Sequence, residues 1–98
     1  MNKSKKIHKL LNINMALHYK GVDQIDWPAV LGARQVVLVF TPTFIRGLEK
    51  NKAHNPSKKL RKRASQYISW LAEAARTTQP YIIHEGVTIK SVSHDPDS

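Results

Sequence analysis

The chain has 98 residues, of which 41% are hydrophobic, and it contains no Cys. This length allows one small domain with a thin core, or part of a larger domain, and the lack of Cys excludes a disulfide framework and a thiolate metal site. The same lack fits a reducing cytosol, so we expect a cytoplasmic protein. The formal net charge is +9, which would attract polyanions. No apolar run reaches the roughly 20 residues that cross a membrane, so we expect no membrane partner.

The predicted elements begin after a basic N-terminal lead, residues 1–6. Residues 7–11, which contain Ile7, Leu10 and Leu11, favour a first strand with Asn12 at its carboxyl end. A short helix is then predicted, with Asp26 as its N-cap, Pro28 in its first turn and Gly32 as its stop.

The second strand is predicted at Val36 to Phe40, a continuous apolar run that is typical of a parallel strand covered on both faces. Thr41 and Pro42 then predict the N-cap and first turn of a helix. We expect residues 51–55 to form a loop after this helix.

Ser57 predicts the N-cap of a longer helix. Its apolar residues recur at steps of three and four along one stripe: Leu60, Ala64, Ile68, Leu71 and Ala75. A third strand is predicted at Val87 to Val92, and residues 93–98 form a tail without a structural signal. The alternation of strands and helices indicates a parallel sheet with helical crossovers.

Polar residues follow the first two predicted strands, where open parallel sheets bind ligands. Asn12 and Asn14 end the first strand, and Glu49 lies two turns into the helix after the second. Magnesium prefers carboxylate oxygens, so one carboxylate and two amides form a poor metal site. The alternative is that the Asn side chains bond local backbone groups and that Glu49 is a surface carboxylate.

A run of cationic residues is the strongest local signal. Between residues 46 and 63, eight Lys or Arg residues accompany a single acid: Arg46, Lys50, Lys52, Lys58, Lys59, Arg61, Lys62 and Arg63. Cations at the start of a helix oppose the macrodipole and repel one another, which favours a bound anion. We therefore expect an RNA- or phosphate-binding surface here, with an ordinary solvated helix face as the alternative.

Three segments together resemble the front half of a PIN domain: LLNINMALHYKGVDQIDW, VVLVFTPTFIRGLEKNK and SKKLRKRASQYISWL. The resemblance spans residues 7–92. In that family an Asp opens the first motif, and here Asn12 stands in its place, while Asn14 matches the family's Asn. In the second motif the metal-binding Glu falls on Gly47, and Glu49 matches the next, less essential acid.

The resemblance implies a truncated three-layer α/β/α domain with a parallel sheet of about three strands. Its family consists of ribonucleases that use Mg²⁺ or Mn²⁺ held by carboxylates. Their remaining acids lie on two further strand–helix units that this sequence does not include. The resemblance therefore assigns Glu49 as the remaining catalytic candidate. It also implies that Asn12, Asn14 and Glu49 form a degenerate metal site, in which we expect no bound ion.

Three functions remain open. The first is an RNA-binding PIN-like chain that is inactive alone. The second is a working ribonuclease completed by another polypeptide or by a second copy. The third is a structural interaction fragment or the remnant of an interrupted gene. Because the later strands of the family are missing, the first strand would have an open edge, and we expect self-association.

Overall fold

The computed structural model describes residues 5–18, 21–78 and 80–96. Its elements are, in chain order, β1 (Lys6–Leu10), α1 (Ile13–His18), a 3-10 helix (Val22–Gln24), α2 (Trp27–Leu31), β2 (Gln35–Phe40), α3 (Pro42–His54), α4 (Lys58–Ala74), β3 (Tyr81–His84) and β4 (Val87–Ser91). Helical segments connect β1 to β2 and β2 to the final hairpin. Residues 1–4 of the basic lead and 97–98 of the tail lie outside the described residues.

The strands form one sheet in the order β1-β2-β4-β3. β2 pairs in parallel with both β1 and β4, which confirms an α/β fold with a mostly parallel sheet. β3 was not predicted, and it pairs antiparallel with β4. Gly86 turns the chain between them with a positive φ of 76°, and a Cβ there would lie 3.0 Å from the carbonyl oxygen of Arg34. A side chain at this turn would therefore be strained.

The predicted starts of three helices, α2, α3 and α4, are confirmed by their N-caps. The side chains of Asp26, Thr41 and Ser57 each accept a hydrogen bond from the backbone N–H three residues further on. These bonds satisfy N–H groups that the first turn of a helix leaves without a partner. Gly32 ends α2 in the left-handed conformation, as its position predicts.

The end of α3 differs from the prediction, because the helix continues to His54 and the loop predicted at 51–55 is wrong. Asn51 donates its side-chain N–H to the carbonyl oxygen of Gly47 at 2.7 Å, one turn earlier. Asn55 donates to the side-chain oxygen of Asn51 at 2.7 Å and accepts from the backbone N–H of Ser57 at 2.8 Å. This chain of amides continues α3 and joins it directly to α4.

A single cluster of buried apolar side chains lies on one face of the sheet. Alternate residues of β2, namely Val36, Leu38 and Phe40, belong to it. The helices contribute Ala16, Leu17, Trp27, Phe44, Leu48, Ala64 and Tyr67. Because strand side chains alternate between the two faces, the described helices form one layer on this face of the sheet. A second helical layer is not among the described residues.

The hydroxyl of Tyr67 ties three helical segments together inside the core. The side chain is 1% exposed, and its hydroxyl donates to the carbonyl oxygen of Ala16 at 2.7 Å. The same oxygen accepts from the backbone N–H of Val22 at 3.1 Å. Burial raises the pKa of the Tyr67 hydroxyl. α4 is thus fixed to α1 and to the 3-10 helix by one neutral phenol.

Replacing Tyr67 by Phe is expected to lower the free energy of unfolding by about 1–3 kcal/mol, because two buried backbone groups lose their partner. Urea unfolding followed by circular dichroism measures the change. Tyr81→Phe is the matched control, because the Tyr81 hydroxyl contacts Glu73 at an exposed site. Equal unfolding midpoints for both variants would contradict the role of the Tyr67 hydroxyl.

Candidate functional site

Asn12 lies where β1 ends, and its side chain is occupied by the adjacent backbone. Its oxygen accepts hydrogen bonds from the backbone N–H groups of Asn14 at 2.9 Å and Met15 at 3.3 Å. These are the contacts of an N-cap, and they stabilise the start of α1. The side chain of Asn14 lies in the first turn of α1, where the residue is exposed.

Gly47 lies directly against α1. A Cβ built on Gly47 would be 3.1 Å from Cγ1 and 3.3 Å from Cδ1 of Ile13, the residue after Asn12. Successive residues of an α-helix are rotated by about 100°, so Glu49 lies about 200° around α3 from Gly47. Glu49 is exposed. Glu49, the acid that remains in the second PIN-like motif, therefore faces away from the contact between α1 and α3.

The proposed metal ligands do not fit Mg²⁺ or Mn²⁺. The oxygen of Asn12 already accepts two hydrogen bonds, Asn14 offers a neutral oxygen, and Glu49 points away from both. Within residues 5–18, 21–78 and 80–96, no three His, Cys, Asp or Glu side chains are grouped as a metal site would require. Divalent ions of this kind prefer several carboxylate oxygens.

Asp95 was missed by the sequence analysis, which found no structural signal in the tail. One carboxylate oxygen accepts from the backbone N–H of Thr43 at 3.0 Å, and the other accepts from the Thr43 hydroxyl at 2.8 Å. These bonds lower the pKa of Asp95. Arg46 lies 3.8 Å from the same carboxylate. The tail is therefore attached to the first turn of α3, through contacts that no local pattern predicts.

Three of the eight predicted phosphate-binding residues, all arginines, contact other groups of the protein. Arg61 donates to the carbonyl oxygens of Asn55 and Pro56, at 2.6 and 3.2 Å. Arg63 donates to the carbonyl oxygen of Leu17 at 2.6 Å, near the end of α1. Cations stabilise the carbonyl ends of helices, so both guanidinium groups have structural roles. The third is Arg46, which contacts Thr43 and Asp95.

The other five residues of the run are lysines with exposed side chains: Lys50, Lys52, Lys58, Lys59 and Lys62. Within the described part of the chain, the ion pair found joins Arg46 to Asp95 and involves none of these lysines. Lys58 and Lys59 lie in the first turn of α4, where the helix dipole adds to their positive potential. These five lysines, called the lysine surface below, lie along α3 and α4 on either side of the turn that joins the two helices. Lys50 and Lys52 are about 200° apart around α3, so they lie on different sides of that helix.

A pocket of about 420 Å³ lies beside the lysine surface. Its lining consists of Ile13, Gly47, Lys50, Asn51, His54, Asn55 and Pro56. It combines an apolar wall, formed where α1 meets α3, with an ammonium group and an imidazole. That combination suits an anionic group attached to an apolar or planar one, rather than a bare metal ion.

Comparisons with protein-family models, curated proteins and solved structures find no match for this chain. A PIN domain is therefore neither supported nor contradicted by relatives. Among the helices of the described residues, none has the length and apolar character needed to span a membrane.

The capping role of Asn12 is testable with two substitutions. Asn12→Ala is expected to lower the free energy of unfolding by about 1 kcal/mol, whereas Asn12→Asp keeps an oxygen acceptor and is expected to stay near the parent. Thermal or urea unfolding measures both. Equal destabilisation by the two substitutions would show that the amide has another role.

Proposed function

We propose that this protein is a PIN-like chain that binds RNA through phosphate contacts and is inactive as a nuclease on its own. The lysine surface is the observation that carries the proposal, because its five exposed ammonium groups lie on adjacent parts of α3 and α4. Lysine contacts to phosphate give affinity without sequence choice. The resemblance of the sequence to PIN domains favours RNA as the polyanion.

Local geometry supports the PIN-like assignment. The family fills positions 12 and 47 with acids, and here Ile13, the residue after Asn12, lies against Gly47. The apolar character of β2 on both faces supports the finer proposal of a three-layer domain, in which a second helical layer would cover the other face. A cytoplasmic location is proposed on the lack of Cys alone.

The proposed inactivity follows from the same contact. An amide at position 12 and a glycine at position 47 remove two carboxylates from the place where metal-assisted hydrolysis requires them. Ile13 packs against Gly47, so an apolar side chain fills the space beside the missing acid. RNA would thus be held by lysines with no carboxylate cluster to recruit the ion.

Binding of single-stranded RNA is expected to weaken steeply with salt, and Lys58→Ala, Lys59→Ala and Lys62→Ala together are expected to flatten the dependence. Each phosphate contact contributes a slope of about −0.7 on logarithmic axes, so losing three contacts reduces the slope by about 2. Fluorescence anisotropy with a labelled oligoribonucleotide across a salt series gives the slope.

The matched control carries Lys5→Ala, Arg34→Ala and Arg76→Ala. These three exposed residues lie outside the lysine surface, and their removal changes the net charge by the same amount. The control is expected to keep most of the parent slope. Equal flattening in both triple variants would mean that net charge, and not the lysine surface, determines binding.

The second candidate function is an Mg²⁺- or Mn²⁺-dependent ribonuclease completed by a partner or a second copy, with Glu49 in its site. One observation favours it: β1 lies at the end of the described sheet and pairs with β2 only. A free strand edge can accept a strand from another chain. A structural interaction fragment or gene remnant remains the third candidate, and it predicts no RNA binding.

Incubation of the purified protein with single-stranded RNA and Mn²⁺ is expected to leave the RNA intact, because the carboxylate cluster is incomplete. Gel electrophoresis of the RNA provides the measurement. Cleavage that depends on Mn²⁺ and is lost in Glu49→Ala, but kept in the exposed control Glu85→Ala, would establish the ribonuclease instead. Sedimentation at several concentrations would then show whether a second copy completes the site.

A further inference from the structure

The sheet has a second face, opposite the helices. Register places two rows of side chains on it: His8, Val37, Thr88 and Ile82 in one row, and Leu10, Val39 and Lys90 in the next. Lys6 lies at the start of β1 on the same face. Val37 and Val39 are buried, but neither belongs to the cluster under the helices. These residues are called the second face below.

The second face exposes large apolar side chains beside its buried valines. Leu10 is 49% exposed at one side of the sheet, and Ile82 is 68% exposed at the other. Between them Val37 and Val39 form a continuous apolar floor along β2. Exposed apolar groups of this size on both sides of an apolar strand are typical of a surface that is covered in a complex.

The second face is concave rather than flat. Two grooves of about 350 and 290 Å³ lie on it and share four lining residues, Lys6, Val37, Pro80 and Thr88. Ile82 lines the first groove, and His8 and Lys90 line the second. Their lining residues come from β1, β2, β3, β4 and the segment that enters β3, so the grooves extend across the strands of the sheet.

The charges of the second face are of one sign. Lys6 and Lys90 line the grooves beside the polar ring of His8, and among the described residues no Asp or Glu lines either groove. An apolar floor with cationic sides is complementary to an apolar stripe with acidic sides. This pattern is displayed by an amphipathic helix that carries Glu or Asp beside its apolar residues.

We propose that the second face docks an acidic amphipathic helix of a partner protein. Strands that are apolar on both faces occur in parallel sheets covered by helices on both sides, and β2 has this character while the described helices cover only one side.

A second copy of this chain fits the second face less well, because a chain with a net charge of +9 would bring its lysines against Lys6 and Lys90. RNA fits less well, because among the described residues the second face carries no Phe, Tyr or Trp and only one ring, that of His8, on which a base could stack, whereas single-strand binding uses successive stacking platforms.

The probe is a fluorescein-labelled peptide of about five helical turns, with Leu on one stripe and Glu beside it. A second peptide with Lys in place of every Glu is its control. The full chain is expected to bind the Glu peptide at least about tenfold more tightly than the Lys peptide, measured by fluorescence anisotropy. Equal affinity for the two peptides would overturn the charge complementarity on which the proposal rests.

Variants separate the second face from the general attraction between an acidic peptide and a basic protein. Ile82→Asp and Lys90→Glu are each expected to weaken binding of the Glu peptide about tenfold. Val30→Asp and Arg76→Glu make comparable chemical changes outside both the grooves and the lysine surface and are expected to keep the affinity; Val30 is 65% exposed on α2, and Arg76 is exposed. Circular dichroism establishes that each variant is folded.

Three outcomes would overturn the proposal. The first is an equal loss of affinity in the control variants. The second is a dimer, detected by sedimentation, that Ile82→Asp dissociates, because a second copy would then be the occupant. The third is displacement of the peptide by single-stranded RNA, which would make this the RNA surface. Salt-dependent RNA binding that persists in Ile82→Asp tests the lysine surface separately.

Discussion

The close approach of α1 to α3 decides what the carboxyl end of this sheet can do. Gly47 permits it, because a Cβ at that position would already lie 3.1 Å from the side chain of Ile13. The two helices meet through an apolar side chain, and the PIN-like assignment that we propose would expect carboxylates at this place. An apolar contact of this kind offers no ligand to a divalent ion.

The cations of α3 and α4 divide by chemistry as well as by position. The arginines form directed bonds, Arg61 and Arg63 to carbonyl oxygens and Arg46 to Thr43. The lysines of the same run remain exposed on α3 and α4. A planar guanidinium suits fixed geometry, whereas a flexible ammonium suits a mobile phosphate chain. Arg61 and Arg63 thus bond carbonyl oxygens near the ends of other helices, whereas the five lysines stay exposed and contact phosphate groups in the function that we propose. The second face of the sheet is a different, partly apolar surface.

Local signals predicted much of this fold, and contacts between distant residues account for what was missed. The N-caps at Asp26, Thr41 and Ser57 each depend on a contact within four consecutive residues, and all three were predicted. β3 was missed although Tyr81, Ile82 and Ile83 favour a strand, because the segment is only four residues long and depends on pairing with β4. At the candidate site, the lysines were found by composition. The bond between Asp95 and Thr43 spans 52 positions and could not be found in this way.

Nuclear magnetic resonance of the ¹⁵N-labelled chain can detect an ion bound beside Ile13 and Gly47, because Mn²⁺ broadens the signals of amides close to it. We expect that Mn²⁺ causes no selective broadening at Asn12, Ile13 or Gly47, and that single-stranded RNA shifts amides at the junction of α3 and α4. Selective broadening at those three residues at micromolar Mn²⁺ would contradict this expectation, since an ion would then be bound where Ile13 packs against Gly47.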